Sequence, residues 1–340
     1  MSQLGLFDID NRLQALSALN DPLETLQKSI PWEVFRKDIT KALSKEKKNN
    51  AGRKPFDGLL MFKVLVLQSL YGLSDHQIEF QIKDRFSFMR FLSLGAEDRI
   101  PDEKTVWLCR EILAKGGWIK PLFERFEKYL WEAGYRAKKG MIVDATIVEV
   151  PRSRNTPKEN EVIKHGEVPS SISENPSVLR QKDMNARWTQ KRGQNYFGYK
   201  DHINVDVEHK LIRRYTVTPA NVHDSVELEN LMDPWNTQQV MYGDSAYPCQ
   251  EKEERLRKLG YTFRFNQKGY RGSPLTERQK RRNRRMSKIR ARVEHVFGWM
   301  ERKTKGILTR GIGQIRAEAK IGLRNLVYNL SRYAYLEGAV

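Results

Sequence analysis

Three carboxylates stand out by where they fall in the chain. Asp144 sits in the middle of Met141-Ile-Val-Asp-Ala-Thr-Ile-Val-Glu-Val150, a run whose β-branched content and bounding Gly140 and Pro151 predict a strand. A carboxylate within a largely buried strand is costly unless a cation, a set of donors or an opening to solvent meets it. An exposed strand face is the plainer account. Asp244 ends the short strand of Gln239-Val-Met-Tyr-Gly-Asp-Ser-Ala-Tyr-Pro248, at the C-terminal edge where α/β folds place ligands; it would also serve as a cap for a helix over Cys249–Leu259. Glu294 belongs to Arg281–Lys303, whose Ile289, Val293, Val296, Phe297 and Met300 fall on one helical stripe, with Arg290, Glu294 and Glu301 on its flank. The cations Arg281, Arg282, Arg284, Arg285 and Lys288 precede it. One acid among so many cations suggests phosphate chemistry, whereas an Arg290–Glu294 surface pair would contribute only about 0.2–0.5 kcal/mol.

Composition narrows the partner. The chain has 340 residues, a formal charge of +19 and 39% hydrophobic residues, which implies two domains, or one large domain with an extension, and a polyanionic partner. Nucleic acid comes first, because each neutralised phosphate releases counterions. An anionic membrane surface comes second and lacks a basic amphipathic anchor. The longest apolar run, Leu59–Leu73, is broken by Lys63 and Gln68 and is too short to span a bilayer. No signal-peptide pattern opens the chain, and two cysteines, Cys109 and Cys249, make neither a disulfide framework nor a zinc site, so a reducing cytoplasm is expected.

The elements that must position the acids follow in order. Residues 1–136 read as helical, with starts at Asp21-Pro22, at Ser74-Asp75 and at Asp102. Lys41–Lys54 reads as a basic connector. Phe56–Leu70, a short Gly-containing turn and a helix carrying Ile78, Phe80 and Ile82 suit a helix-turn-helix, or any helical bundle. Residues 151–186 read as a long polar loop. Arg187, Trp188, Lys191, Arg192, Tyr199 and Lys200 interleave cations with aromatics, as a groove tracking phosphates beneath stacked bases would, or as a strand with packing rings would. His202–Val207 and Leu211–Thr218 form an antiparallel pair. Asp224 with Glu227 matches a capping box, which is preferred over His223 and Asp224 as metal ligands. A helix over Ile315–Leu336 closes the chain.

Strand, hairpin, helix, strand, helix, strand, helix is the order of a ribonuclease-H-like mixed sheet flanked by helices, here preceded by an all-α N-terminal domain. Such an α/β fold can bring Asp144, Asp244 and Glu294 to one edge. Three carboxylates together cannot all stay ionised without cations. Two divalent ions about 3.5–4 Å apart would resolve that and clamp a phosphodiester. Oxygen-only ligands favour magnesium or manganese.

The chain resembles the bacterial insertion-sequence DDE transposases of the insertion-sequence-five group over nearly its whole length. The resemblance is carried by GRKPFD (Gly52–Asp57), YGLSDHQIEFQIKDRFSFMRFL (Tyr71–Leu92), VDAT (Val143–Thr146), RWTQKRG with YFGYKDH (Arg187–His202), TPANVHDS (Thr218–Ser225), YGDSAY (Tyr242–Tyr247) and SKIRARVEHVFGWMERK (Ser287–Lys303). It implies that Asp144, Asp244 and Glu294 are the catalytic, metal-binding triad and that Arg290, four residues before the Glu, supports the site. Two positions depart from the family signature: Ser287 stands where many relatives have Tyr, and Glu301 where many have Lys, a contact that Lys303 is placed to replace.

The implied chemistry is metal-assisted hydrolysis at the element's ends. The freed 3′-hydroxyl then attacks target DNA by direct transesterification, with no Ser or Tyr nucleophile. Residues 1–136 would recognise terminal inverted repeats, and residues 137–340 would form the catalytic domain. Trp188–Tyr199 and Arg278–Arg292 would hold phosphate backbones, and a homo-oligomer would pair two ends in a synaptic complex, in the cytoplasm at the nucleoid. A nuclease without strand transfer and a non-enzymatic, transposase-derived DNA-binding regulator are the rival readings.

Overall fold

The computed structural model describes residues 8–44, 54–304 and 310–338. The chain divides into two compact units, Met1–Phe126 with Leu326–Val340, and Glu127–Asn325. The expected connector Lys41–Lys54 lies mostly outside the described residues.

In the first unit the helices are α1 (Asp8–Ala18), α2 (Pro22–Ser29), α3 (Arg36–Leu43), α4 (Gly58–Tyr71), α5 (Asp75–Asp84), α6 (Phe86–Leu92) and α7 (Glu103–Lys115), with a 3-10 turn at Trp32–Phe35; α8 (Ile119–Glu132) runs across its boundary. The helix starts are set by local chemistry. Asp21 accepts from the Leu23 amide, Asp102 from Thr105, and Ser74 with Gln77 closes a capping box. α4 is apolar all round and buried nearly throughout, as a central helix must be. Its Phe62 packs on Phe35, ring centroids 4.9 Å apart. Its one charge, Lys63, is buried with Nζ 5.2 Å over the Trp32 ring. Among the described residues no helix is long and apolar enough to cross a membrane.

The second unit is built on β1 (Met141–Glu149), β2 (Arg187–Lys191), β3 (Gln194–Asp206), β4 (Ile212–Pro219), β5 (Val240–Gly243) and β6 (Thr262–Phe265). β3 is long because it serves two partners on one edge: its start pairs with β2 and its remainder with β4, both antiparallel, while β1, also antiparallel, takes the other edge. β1 runs parallel to β5, and β5 to β6. This mixed sheet, with α12 (Gln250–Lys258), α13 (Glu277–Lys303) and the start of α14 (Gln314–Glu337), is the ribonuclease-H-like arrangement.

Side chains alternate across the sheet. Met141 and Val143 face a core with Leu228, Leu231, Tyr247 and Phe265. Val148 and Tyr199 face the opposite core, with Ala317 and Ile321 of α14. Asp144 belongs to this second face.

Residues 151–186, expected as a loop, contain three short helices, α9 (Pro157–Lys164), α10 (Ser170–Ser173) and α11 (Pro176–Leu179). Thr156 and Glu159 cap α9 reciprocally, a local signal that the polar composition obscures. The buried Asp183 then ties the segment down, accepting from the amides of Asn185, Ala186 and Gly313 and from the Tyr199 hydroxyl. The capping box expected at Asp224 and Glu227 does not form. His223 caps a 3-10 turn there, and Asp224 is taken up by Lys200 instead.

Candidate active site

Two of the three acids come together through strand register. Met141 pairs with Met241 and Ile142 with Tyr242 across the parallel strands. Continued two residues, that register sets Asp144 beside Asp244, which follows the last residue of β5, Gly243. Both carboxylates are half-buried and each accepts an amide: Asp144 Oδ1 from Ala145 at 2.9 Å, Asp244 Oδ1 from Ala246 at 2.8 Å. A capping box at Thr276 with Gln279 starts α13, which packs against β1 and β5. Val293, Val296 and Met300 are its buried ridge. From the flank of that ridge Arg290 Nη2 donates to Asp144 Oδ2 at 3.2 Å.

The electrostatics are those of a site lacking positive charge. Burial raises the Asp144 carboxyl above its ordinary range, the Arg290 guanidinium and the Ala145 amide pull it back, and the Asp244 charge pushes it up again. Two adjacent carboxylates of this kind favour a bound cation. The donors are all oxygens, which suits a hard divalent ion.

Glu294, one turn beyond Arg290, is exposed. Among the described residues no group of three or more His, Cys, Asp or Glu side chains is assembled to hold a metal. The structure thus joins Asp144, Asp244 and Arg290, and does not bring the Glu294 carboxylate into that group. Asp183 and Asp224 are both occupied elsewhere.

One residue of the site escaped sequence reasoning. Tyr247 is fully buried, its hydroxyl has no hydrogen-bond partner among the described residues, and burial with the charges of Asp144, Asp224 and Asp244 drives that hydroxyl far above its usual range. Its place three residues after Asp244 was the available signal.

The residues expected to hold DNA divide sharply. Tyr199 is a correction: it lies in the core with its hydroxyl on Asp183 at 2.8 Å, and no base can stack on it. Arg187 is spent on the carbonyls of Met184, Ala186 and Ile163, and Lys200 on the Val222 carbonyl and Asp224. Arg282 is bonded to the Phe265 carbonyl and Arg292 to that of Val207. Trp188, Lys191, Arg192, Arg281, Arg284, Arg285, Lys288 and Lys303 are exposed. Arg192 and Gly193 turn the β2–β3 hairpin with φ of 53° and 79°, which puts Lys191 and Arg192 at its tip. Arg152 stacks over Trp188, 5.4 Å from the ring centroid.

Comparison with known families agrees with this architecture. Residues 135–330 match the family model of the transposase DDE domain. Residues 11–111 match a second model, a transposase domain (DUF772). With more than half of its length matched by the first and much of the remainder by the second, this chain belongs to the insertion-sequence DDE transposases.

Proposed function

We propose that Asp144, Asp244 and Glu294, supported by Arg290, are the centre at which this transposase hydrolyses DNA at the ends of its element and transfers the freed 3′-hydroxyl to target DNA. The observation that carries the proposal is the β1–β5 register, which sets Asp144 beside Asp244 under an arginine from α13. Asp144 and Asp244 would hold magnesium or manganese, as two ions, with Glu294 completing the set from the same helix. The bound metal supplies Lewis-acid stabilisation of the phosphodiester and a hydroxide at neutral pH.

The protein's own part is placement. Arg290 keeps Asp144 oriented and compensates charge where burial disfavours it. The half-buried position of both aspartates keeps their field strong while leaving an approach for a phosphate. The exposed cations Lys191, Arg192, Arg281, Arg284, Arg285, Lys288 and Lys303, with Trp188, would hold phosphate backbones. α4 and α5, a helix pair joined by Gly72-Leu73-Ser74, support terminal-repeat recognition by residues 1–136. A homo-oligomer would pair two such ends, and the quoted motifs support the insertion-sequence-five group.

The test is incubation of the full chain with a labelled duplex carrying the terminal repeat, target plasmid and magnesium. Joined products are expected. Cleavage without joining would make the protein a nuclease, and binding without cleavage a regulator.

A further inference from the structure

The proposed function gives the α13 cations away from Arg290 to phosphate backbones without saying which DNA segment they meet. Arg278, Arg281, Arg284 and Arg285 line a single surface pocket. None of the four, nor Lys288, pairs with a carboxylate among the described residues, whereas Glu277 in the helix's first turn is taken by Lys280 at 2.8 Å. Unpaired guanidinium groups crowded in one pocket repel one another and destabilise the fold. Their gain comes only with a bound polyanion.

Helix geometry says which polyanion this is not. At about 100° per residue, Glu294 lies about 40° from Arg290, on the flank that meets Asp144. Arg281, Arg285 and Lys288 lie about 140–180° around from Arg290, and Arg278 and Arg284 about 120°. The buried ridge of Met286, Val293, Val296 and Met300 occupies part of the arc between them. A strand held over Asp144 therefore has the body of α13, about 10–12 Å across with its side chains, between it and the arginine pocket.

Resting on the reading of the acidic pair as the cleavage centre, we infer that the pocket of Arg278, Arg281, Arg284 and Arg285 holds a second DNA segment, separate from the strand at Asp144 and Asp244. The chemistry of strand transfer needs two DNA segments at one protein, the end being joined and the DNA it enters. α13 serves one on each flank.

The test uses the full chain and a short hairpin duplex of mixed sequence, with bound copies per protomer counted by analytical ultracentrifugation at low salt. The wild type is expected to bind two copies, and R281Q/R285Q one. Adding R290Q to that double variant should weaken the remaining copy about tenfold or more. A wild type that saturates with one copy overturns the inference, as does a double variant that still takes two. If R290Q leaves the remaining copy's affinity unchanged while R281Q/R285Q removes the other, the second site stands and the acidic pair is not where DNA is held.

Discussion

Asp144 is costly to keep charged, and the reason it is kept is chemical. Burial disfavours its ionised form, Asp244 adds like charge, and one guanidinium at 3.2 Å compensates. Arg290→Gln should therefore lower cleavage about tenfold or more and displace the acid limb of its pH profile upward, because the neighbour that favours ionised Asp144 is gone. A profile that keeps its limb would detach Arg290 from the site. The Tyr247 hydroxyl behaves oppositely. It is buried without a partner among the described residues, so Tyr247→Phe should change unfolding stability by less than about 1 kcal/mol, in either direction. A larger loss in urea titration would show that the hydroxyl is satisfied by a group that binds there. The sequence revealed Asp144 through its cost, but not which face of β3 carried Tyr199. Phe197 and Tyr199 share the face that α14 covers, and a mixed run of cations and aromatics carries no signal of that cover.

Elements were legible where their chemistry is local. Caps at Asp21, Ser74 and Asp102, the ridge of α13 and the β3–β4 pair follow from residue types at short spacing. What was not legible depends on distant partners: Lys200 held by Asp224, and Arg187 closing over the Ile163 carbonyl. The handover on β3 from β2 to β4 falls at Gly198, where an added Cβ would stand 2.1 Å from the carbonyl oxygen of Val148 on β1, across the other edge. Gly198→Ala should destabilise the catalytic unit by about 2 kcal/mol or more, read as a lowered melting temperature.

A buried ion network ties α8 to this sheet's β4. Arg213 donates to Glu127 at 3.2 Å and to Asp206 at 3.1 Å, yet burial still pushes Glu127 up to about 7. A carboxyl whose folded pKa is raised stabilises most while protonated. Its contribution is full below about 4.5 and is lost as pH rises towards 7. Glu127→Gln should flatten the fall in stability between those pH values relative to wild type. Parallel curves for the two proteins would contradict it.

Across the whole molecule, the proposed DNA binding would draw on the charge of +19, and the structure separates the exposed cations from those already bonded within the fold. Exposed Arg281 and Arg285 should together account for about 2 units in the slope of log K against log salt, whereas Arg187 and Arg282, bonded to backbone carbonyls, should affect stability and leave that slope unchanged. A slope that responds equally to all four would mean that the bonded arginines reach DNA as well.

The central claim is that Asp144, Asp244 and Glu294 act as one centre. It is tested most directly by the single-turnover cleavage rate of the terminal-repeat duplex at saturating protein with magnesium, for Asp144→Asn, Asp244→Asn and Glu294→Gln beside the wild type. Each substitution should lower the rate by about 100-fold or more while the duplex still binds. A Glu294→Gln protein that cuts at the wild-type rate would confine the centre to the aspartate pair and leave α13 contributing only Arg290.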